Sequence, residues 1–222
     1  MIIAIFDIDG TLTDSYDADT RCYEAALAEA WGLEGFDLDW HDYTSSTDAG
    51  VAVEIHTARF GEPPSAERAQ ALEDAFGRIW ARDHADRSRP IDGAPALLAE
   101  VMAAPDFAVG IATGCWQSSA EMKLDGAGYP VDRLDLSTAT HHPQRPDIVR
   151  RAIERQRARV GDARRVVYVG DGVWDIRAAK ALGIEFVGVG AGERAERLAA
   201  EGATFIVDQL GNVDGLVRHL RR

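Results

Sequence analysis

Cysteine is nearly missing from this chain of 222 residues; only Cys22 and Cys115 occur. Two thiols exclude a disulfide framework and fit a reducing, cytoplasmic setting. Long apolar runs are missing as well. The longest, Met1 to Phe6, is far short of the roughly 20 residues that a membrane helix needs, and no basic leader precedes it, so neither a span nor a secretory signal is expected. Positive charge is scarce. With 24 Lys and Arg against 37 Asp and Glu, the net charge is −13, which disfavours nucleic acid or an anionic membrane surface as a partner. The remainder, 46% hydrophobic and 27% charged, is ordinary for a packed globule. At about 150 residues per domain, this length makes one domain, or one domain carrying an insert.

The charge is unevenly spread. Residues 145–165 hold eight arginines against three acids, which reads as a solvated helix face. Residues 1–50 hold twelve acidic side chains and one cation, Arg21, and some of those carboxylates fall where a strand should end.

Short, fully apolar runs at Ile2–Phe6, Ala108–Ala112, Val166–Val169, Glu185–Val189 and Thr204–Val207, with a weaker one near Leu134–Leu136, read as central parallel strands covered on both faces. Helical patterns lie between them. Pro95 and Pro146 stand at plausible first helical positions, and a helix over Asp175–Leu182 closes at Gly183. This alternation predicts an α/β fold, a doubly wound, Rossmann-like parallel sheet. One stretch breaks the rhythm. From Ser15 to Arg89 no convincing strand occurs, but two apolar stripes at helical spacing do: Tyr23, Ala26, Leu27, Ala30 and Trp31, then Ala69, Leu72, Phe76 and Ile79. The expected organisation is therefore a core of residues 1–14 and 90–222 with a small helical cap inserted over 15–89, in which Trp31, Trp40 and Trp80 build the cap interior.

The carboxylates carry the functional signal. The first strand runs into Asp7-Ile8-Asp9-Gly10-Thr11, and residues i and i+2 of an extended chain point to one side. The Val166–Val169 run leads into Gly170-Asp171-Gly172-Val173-Trp174-Asp175, and Ile111-Ala112 leads into Thr113-Gly114. Parallel sheets place their ligands beyond such carboxyl ends. Any one Asp there is adequately explained as a helix cap. Four of them together repel one another and ask for a hard divalent cation; Mg²⁺ suits a site of carboxylates, water and substrate phosphate.

These residues resemble the haloacid dehalogenase superfamily. Asp7-Ile8-Asp9-Gly10-Thr11 is similar to its nucleophile motif, Thr113-Gly114 to the second, Arg145-Pro146 to the third and Gly170-Asp171 with Asp175 to the fourth. The place of the insert resembles the helical-cap subfamily of phosphoglycolate phosphatase-like and β-phosphoglucomutase-like enzymes. The resemblance implies an Mg²⁺-dependent phosphatase working through an aspartyl-phosphate on a small phosphorylated metabolite. Asp7 would be the nucleophile and Asp9 the acid and base. The metal would be held by Asp7, the Asp9 backbone carbonyl and Asp171, with Asp175 behind them, and phosphate by Thr113, Gly114 and Arg145. Asp9 argues against carbon–halogen cleavage, since a departing halide needs no proton.

The third motif departs from the family, which usually has Lys where Arg145 stands. Lys123, on the helix after Thr113, is the other candidate for the phosphate cation, against the plainer expectation of a solvated helix residue. A phosphosugar mutase of the same family is an alternative. The segment Ser15–Arg21 lacks the histidine that such mutases carry near the hinge, and Thr44-Ser45-Ser46-Thr47-Asp48 offers hydroxyls and an acid but no cation for a second phosphate. Loop residues Ser45–Gly50 accordingly suggest a neutral, hydroxyl-bearing leaving group. A non-catalytic phosphate-binding or partner-binding member of the fold is the remaining alternative. His141 and His142 are expected to be loop residues, Cys22 and Cys115 to be packing residues, and the protein to be a monomer or dimer.

Overall fold

The computed structural model describes residues 1–84 and 88–222. In chain order the strands are β1 (Ile2–Phe6), β2 (Thr13–Asp14), β3 (Arg89–Pro90), β4 (Phe107–Ala112), β5 (Leu136–Ser137), β6 (Arg165–Gly170), β7 (Glu185–Val189) and β8 (Ile206–Val207). The helices are α1 (Tyr16–Trp31), α2 (Asp48–Phe60), α3 (Ala66–Ile79), α4 (Ala94–Ala103), α5 (Gln117–Gly126), α6 (Arg145–Val160), α7 (Val173–Leu182), α8 (Glu193–Ala200) and α9 (Val213–Arg221).

Six strands form one sheet in the order β5-β4-β1-β6-β7-β8, every pairing parallel. The five residues of β1 are all buried, and they split by parity: Ile2, Ala4 and Phe6 pack on one face, with Leu97, Leu98 and Val101 of α4 and Leu216 and Leu220 of α9. Ile3 and Ile5 pack on the other, with Ile148, Val149 and Ile153 of α6 and Ala178 and Ala179 of α7. A strand that is apolar at every position can only sit between two covered faces, which is why the uninterrupted run at the start of the chain becomes the sheet centre. This is the α/β, Rossmann-like architecture expected. β1 lies between β4 and β6, so the strand order reverses around it and the crevice beyond its carboxyl end is the natural ligand position.

Helices α1 to α3 have an apolar cluster of their own, built from Tyr23, Leu27, Trp31, Trp40, Val51, Ile55, Leu72, Phe76 and Trp80. Thr47 and Ser65 cap α2 and α3 by accepting backbone N–H bonds from Gly50 and Arg68, and each chain turn that follows α1 and α2 is a left-handed glycine, Gly32 or Gly61. The expectation of no strand here needs one amendment: Arg89–Pro90 pairs antiparallel with Thr13–Asp14, a two-residue ribbon where the chain leaves the sheet layer and returns to it. The expected cap segment also includes residues 85–87, which lie outside the described residues.

Candidate active site

Asp7 follows β1 directly, and its backbone N–H donates to the Val169 carbonyl at 3.0 Å, so it is the last residue the sheet holds. The chain then turns tightly at Gly10, φ 75°. A Cβ there would lie 2.0 Å from Asp171 Oδ2, so only glycine lets the loop after β1 reach the loop after β6. Asp7, Asp171 and Asp175 come together, each offering a carboxylate oxygen within 4.8 Å of the others, and all three are buried. Asp175 is anchored: its carboxylate accepts from the Tyr168 hydroxyl at 2.7 Å and from the Gly172 N–H at 3.0 Å. Asp171 is not. Its Oδ1 is buried with no hydrogen-bond partner, while Arg194 Nη1 lies 3.1 Å from Oδ2.

Arg145, the first residue of α6, enters this cluster. Its Nη1 donates to Asp7 Oδ1 at 2.9 Å and lies 3.5 Å from Asp175 Oδ1, and its Nη2 donates to the Ser46 carbonyl at 3.3 Å. Nε of the same guanidinium is buried without an acceptor. Gly114 is needed here for room, since a Cβ would stand 2.7 Å from Arg145 Nη2. Ser46 is in the left-handed region, φ 42°, where a non-glycine residue is strained by about 1–3 kcal/mol. Thr113, at the end of β4, accepts from the Cys115 N–H through its hydroxyl oxygen at 3.2 Å, which leaves the hydroxyl hydrogen for another acceptor. The structure thus brings Asp7, Asp9, Thr113, Gly114 and Arg145 around one cavity of about 40 Å³, closed from the helical side by Trp40, Ser46 and Asp48.

Asp9 has different company. Its carboxylate accepts from Lys123 Nζ and from Cys115 Sγ, both at 2.9 Å, and forms a very short bond with the Ser15 hydroxyl. Lys123 also pairs with Asp19 of α1 and faces the rings of Phe76 and Trp80. The solvated-helix expectation for Lys123 is therefore wrong. The side chain is 0% exposed, between the sheet layer and the helical layer. Arg145, not Lys123, reaches Asp7. Cys115 packs, as expected, but also donates to Asp9.

The two surroundings set opposite proton affinities. Burial pushes Asp7 well above the usual carboxylate range; Asp175 and Asp171 add to this and Arg145 only partly offsets it. Burial pushes Asp171 up to about 7, with Arg194 opposing. Burial also acts on Asp9, but the Lys123 ammonium and the bonds from Cys115, Ser15 and Lys123 outweigh it and hold Asp9 below its ordinary value. Burial alone would lower the proton affinity of Lys123; Asp19 and Asp9 overcome that and keep it charged. The buried carboxylates around Asp7, with an orphaned oxygen on Asp171, fit a hard cation with oxygen ligands, whereas the Asp9 carboxylate already has Lys123, Cys115 and Ser15 as donors.

Asp19 and Asp48 escaped the sequence reading as site residues, and Lys123, weighed there as a phosphate cation, is instead the partner of Asp9 and Asp19. The layer of α1 to α3 is joined to the sheet layer by the Asp48 N–H donating to the Gly114 carbonyl at 2.8 Å, by Asp48 Oδ2 accepting from the Trp116 N–H at 2.9 Å, and by the Thr47 hydroxyl donating to the Pro143 carbonyl at 2.6 Å. Tyr23 stacks on Trp116 at 5.5 Å. An acid at the first position of a helix gives no sign in sequence that it will line a cavity.

Residues 3–183 match the family model of haloacid dehalogenase-like hydrolases. The chain is 29% identical over 229 residues to Protein CbbY, plasmid, of Cupriavidus necator, covering 94% of this chain and 85% of that protein. Among solved structures it is similar to a hydrolase from Pseudomonas syringae (TM-score 0.77, 19% identity, 99% of both chains). It is similar also to CbbY from Rhodobacter sphaeroides in complex with xylulose-(1,5)bisphosphate (TM-score 0.70, 19% identity, 94% of both chains). Among the described residues no helix is long and apolar enough to cross a membrane.

Proposed function

The chain belongs to the haloacid dehalogenase-like hydrolases, and from that premise we propose that it is an Mg²⁺-dependent phosphatase of a small phosphorylated metabolite, with residues 1–14 and 90–222 as the catalytic layer and 15–89 as its cap. One observation carries the reading: Asp7 and Asp9 face the same cavity as Thr113, Gly114 and Arg145, in surroundings that separate their proton affinities.

The roles follow from the contacts. Asp7, Asp171 and the Asp9 carbonyl, backed by Asp175, would hold the ion, which when bound offsets the carboxylate charge and screens the approach of Asp7 to a phosphate. Thr113, the Gly114 N–H and the unpartnered Arg145 Nε would take phosphate oxygens. Asp7 attacks phosphorus as the bond to the leaving oxygen breaks, and Asp9 gives that oxygen a proton. In the second step Asp9 takes a proton from water, the water oxygen attacks phosphorus, and the Asp7–phosphorus bond breaks to release inorganic phosphate. Asp9 is ionised in the free protein. A phosphate dianion placed beside it raises its proton affinity, so Asp9 takes up a proton from solvent as the substrate binds, and the first step spends that proton. A mutase is disfavoured because the segment Ser15–Arg21 carries no histidine.

The test is phosphate release from a panel of phosphomonoesters. With Mg²⁺ the parent turns over; EDTA abolishes this, and Asp7→Asn lowers kcat by about 10⁴-fold or more. Release that persists in Asp7→Asn, or that ignores EDTA, would sink the reading.

A further inference from the structure

The cavity around Asp7 is too small for a whole substrate. Its volume of about 40 Å³ has room for a few waters, hence for a phosphoryl group and little else. Tyr16 and Trp174 line it and also line an adjoining cavity of about 240 Å³, so a leaving group attached to that phosphoryl group extends past these two rings. The walls of the larger cavity are basic. Arg194 and Arg197 reach it from α8 and His41 from the 3₁₀ turn Trp40–Asp42, and Asp171 lines it too.

These side chains are only lightly engaged. Arg197 pairs with Glu193 at 3.2 Å, a carboxylate that is 86% exposed, and its Nη1 lies 3.4 Å from His41 Nε2, a cation against an imidazole nitrogen. Among the described residues Asp171 is the carboxylate that pairs with Arg194, so engagement of Asp171 by a metal ion would leave the guanidinium without that partner. The Trp174 indole N–H is buried with no acceptor. A chain with net charge −13 that gathers two guanidiniums at the mouth of an acidic site has built an anion receptor there.

We propose that the substrate carries a second acidic group, carboxylate or phosphate, on its leaving-group side, and that Arg194, Arg197 and His41 bind it. This rests on the phosphatase reading and narrows its substrate class. The cation that loop 44–48 lacks comes from α8 of the sheet layer, not from the cap.

Two matched pairs test it: 3-phosphoglycerate against glycerol 3-phosphate for a carboxylate, and fructose 1,6-bisphosphate against fructose 6-phosphate for a phosphate. The parent should prefer the acidic member of at least one pair by about tenfold or more in kcat/KM, and the pair that shows it identifies the group. Arg197→Ala should cut that ratio about tenfold and Arg197→Glu should invert it, chiefly through KM. Arg177→Ala, an exposed arginine on α7, controls for surface charge and should leave the ratio alone. Calorimetric affinities of the same four compounds for the Asp7→Asn protein give the ratio without turnover. A parent ratio near one in both pairs overturns the proposal, as does a ratio untouched by either Arg197 variant. Absence of turnover on every compound, with the calorimetric ratio intact, overturns the phosphatase reading and keeps the receptor.

Discussion

Asp7 and Asp9 stand two residues apart at one strand end, yet each has its own buried cation and an opposite electrostatic outcome. Around Asp7, the Arg145 guanidinium meets Asp7 and Asp175, while Asp171 meets Arg194 through one oxygen and keeps the other buried without a hydrogen-bond partner. Around Asp9, two carboxylates share the Lys123 ammonium, with a thiol and a hydroxyl completing the group. The first leaves a buried carboxylate oxygen without a donor and so is suited to a metal ion; the second already supplies the Asp9 carboxylate with an ammonium, a thiol and a hydroxyl. Two side chains of one type can thus be given separate chemistry by what other helices bring to them. The kind of cation matters too. Arg145 reaches Asp7, Asp175 and the Ser46 carbonyl at once, which a planar fork allows; Lys123 concentrates its charge between two carboxylates.

The sharpest way to break the comparison is Lys123→Met. Removing one partner of a buried ion group costs about 3–5 kcal/mol, so thermal unfolding should move down by roughly 10 °C. The loss should be greater at pH 8 than at pH 5.5, because Asp9 and Asp19 can neutralise by taking protons only at the lower pH. A variant as stable as the parent would show that the ammonium is not what holds these carboxylates. Next comes Arg145→Lys, which keeps the charge but not the fork; kcat/KM should fall roughly tenfold to a hundredfold with the fold unchanged.

The third prediction concerns pH. Burial raises the folded-state pKa of Asp171 to about 7 and of Asp19 to about 6, so their contribution to stability is full below about pH 4 and is lost as pH rises through those values. In EDTA the melting temperature should therefore fall by roughly 5 °C from pH 5.5 to pH 8. Mg²⁺ should restore more at pH 8 than at pH 5.5, and Asp171→Asn should flatten both trends. A melting temperature that rises over that range would contradict the assignment. Smallest is Cys115→Ala, which removes one bond to Asp9 and should cost about 1 kcal/mol in urea unfolding, with Asp7 chemistry intact.

The sheet was legible because its strands are covered on both faces and so read as unbroken apolar runs; Ile2–Phe6 needs no partner to be recognised. The aspartates were legible because the runs end on them. Lys123 was not. Its partner Asp9 lies 114 positions away, and a lysine on a short helix of mixed polarity looks the same in sequence whether it faces water or a buried acid. Helix α9 was missed for a related reason: Leu216, Val217 and Leu220 are too few to make a pattern until the sheet face they cover is known. Nothing in the sequence pattern singles out Arg194 and Arg197; they gain interest only from the ion pair of Arg194 with Asp171 and from the cavity that both line.

The carbonyl of Ser46, held in its left-handed turn, touches the same guanidinium that touches Asp7. A residue of the helical layer thus has a hand in orienting the group beside Asp7: a substitution that displaced the Ser46 backbone would remove one of the contacts that hold the guanidinium in place, without touching any strand-end residue.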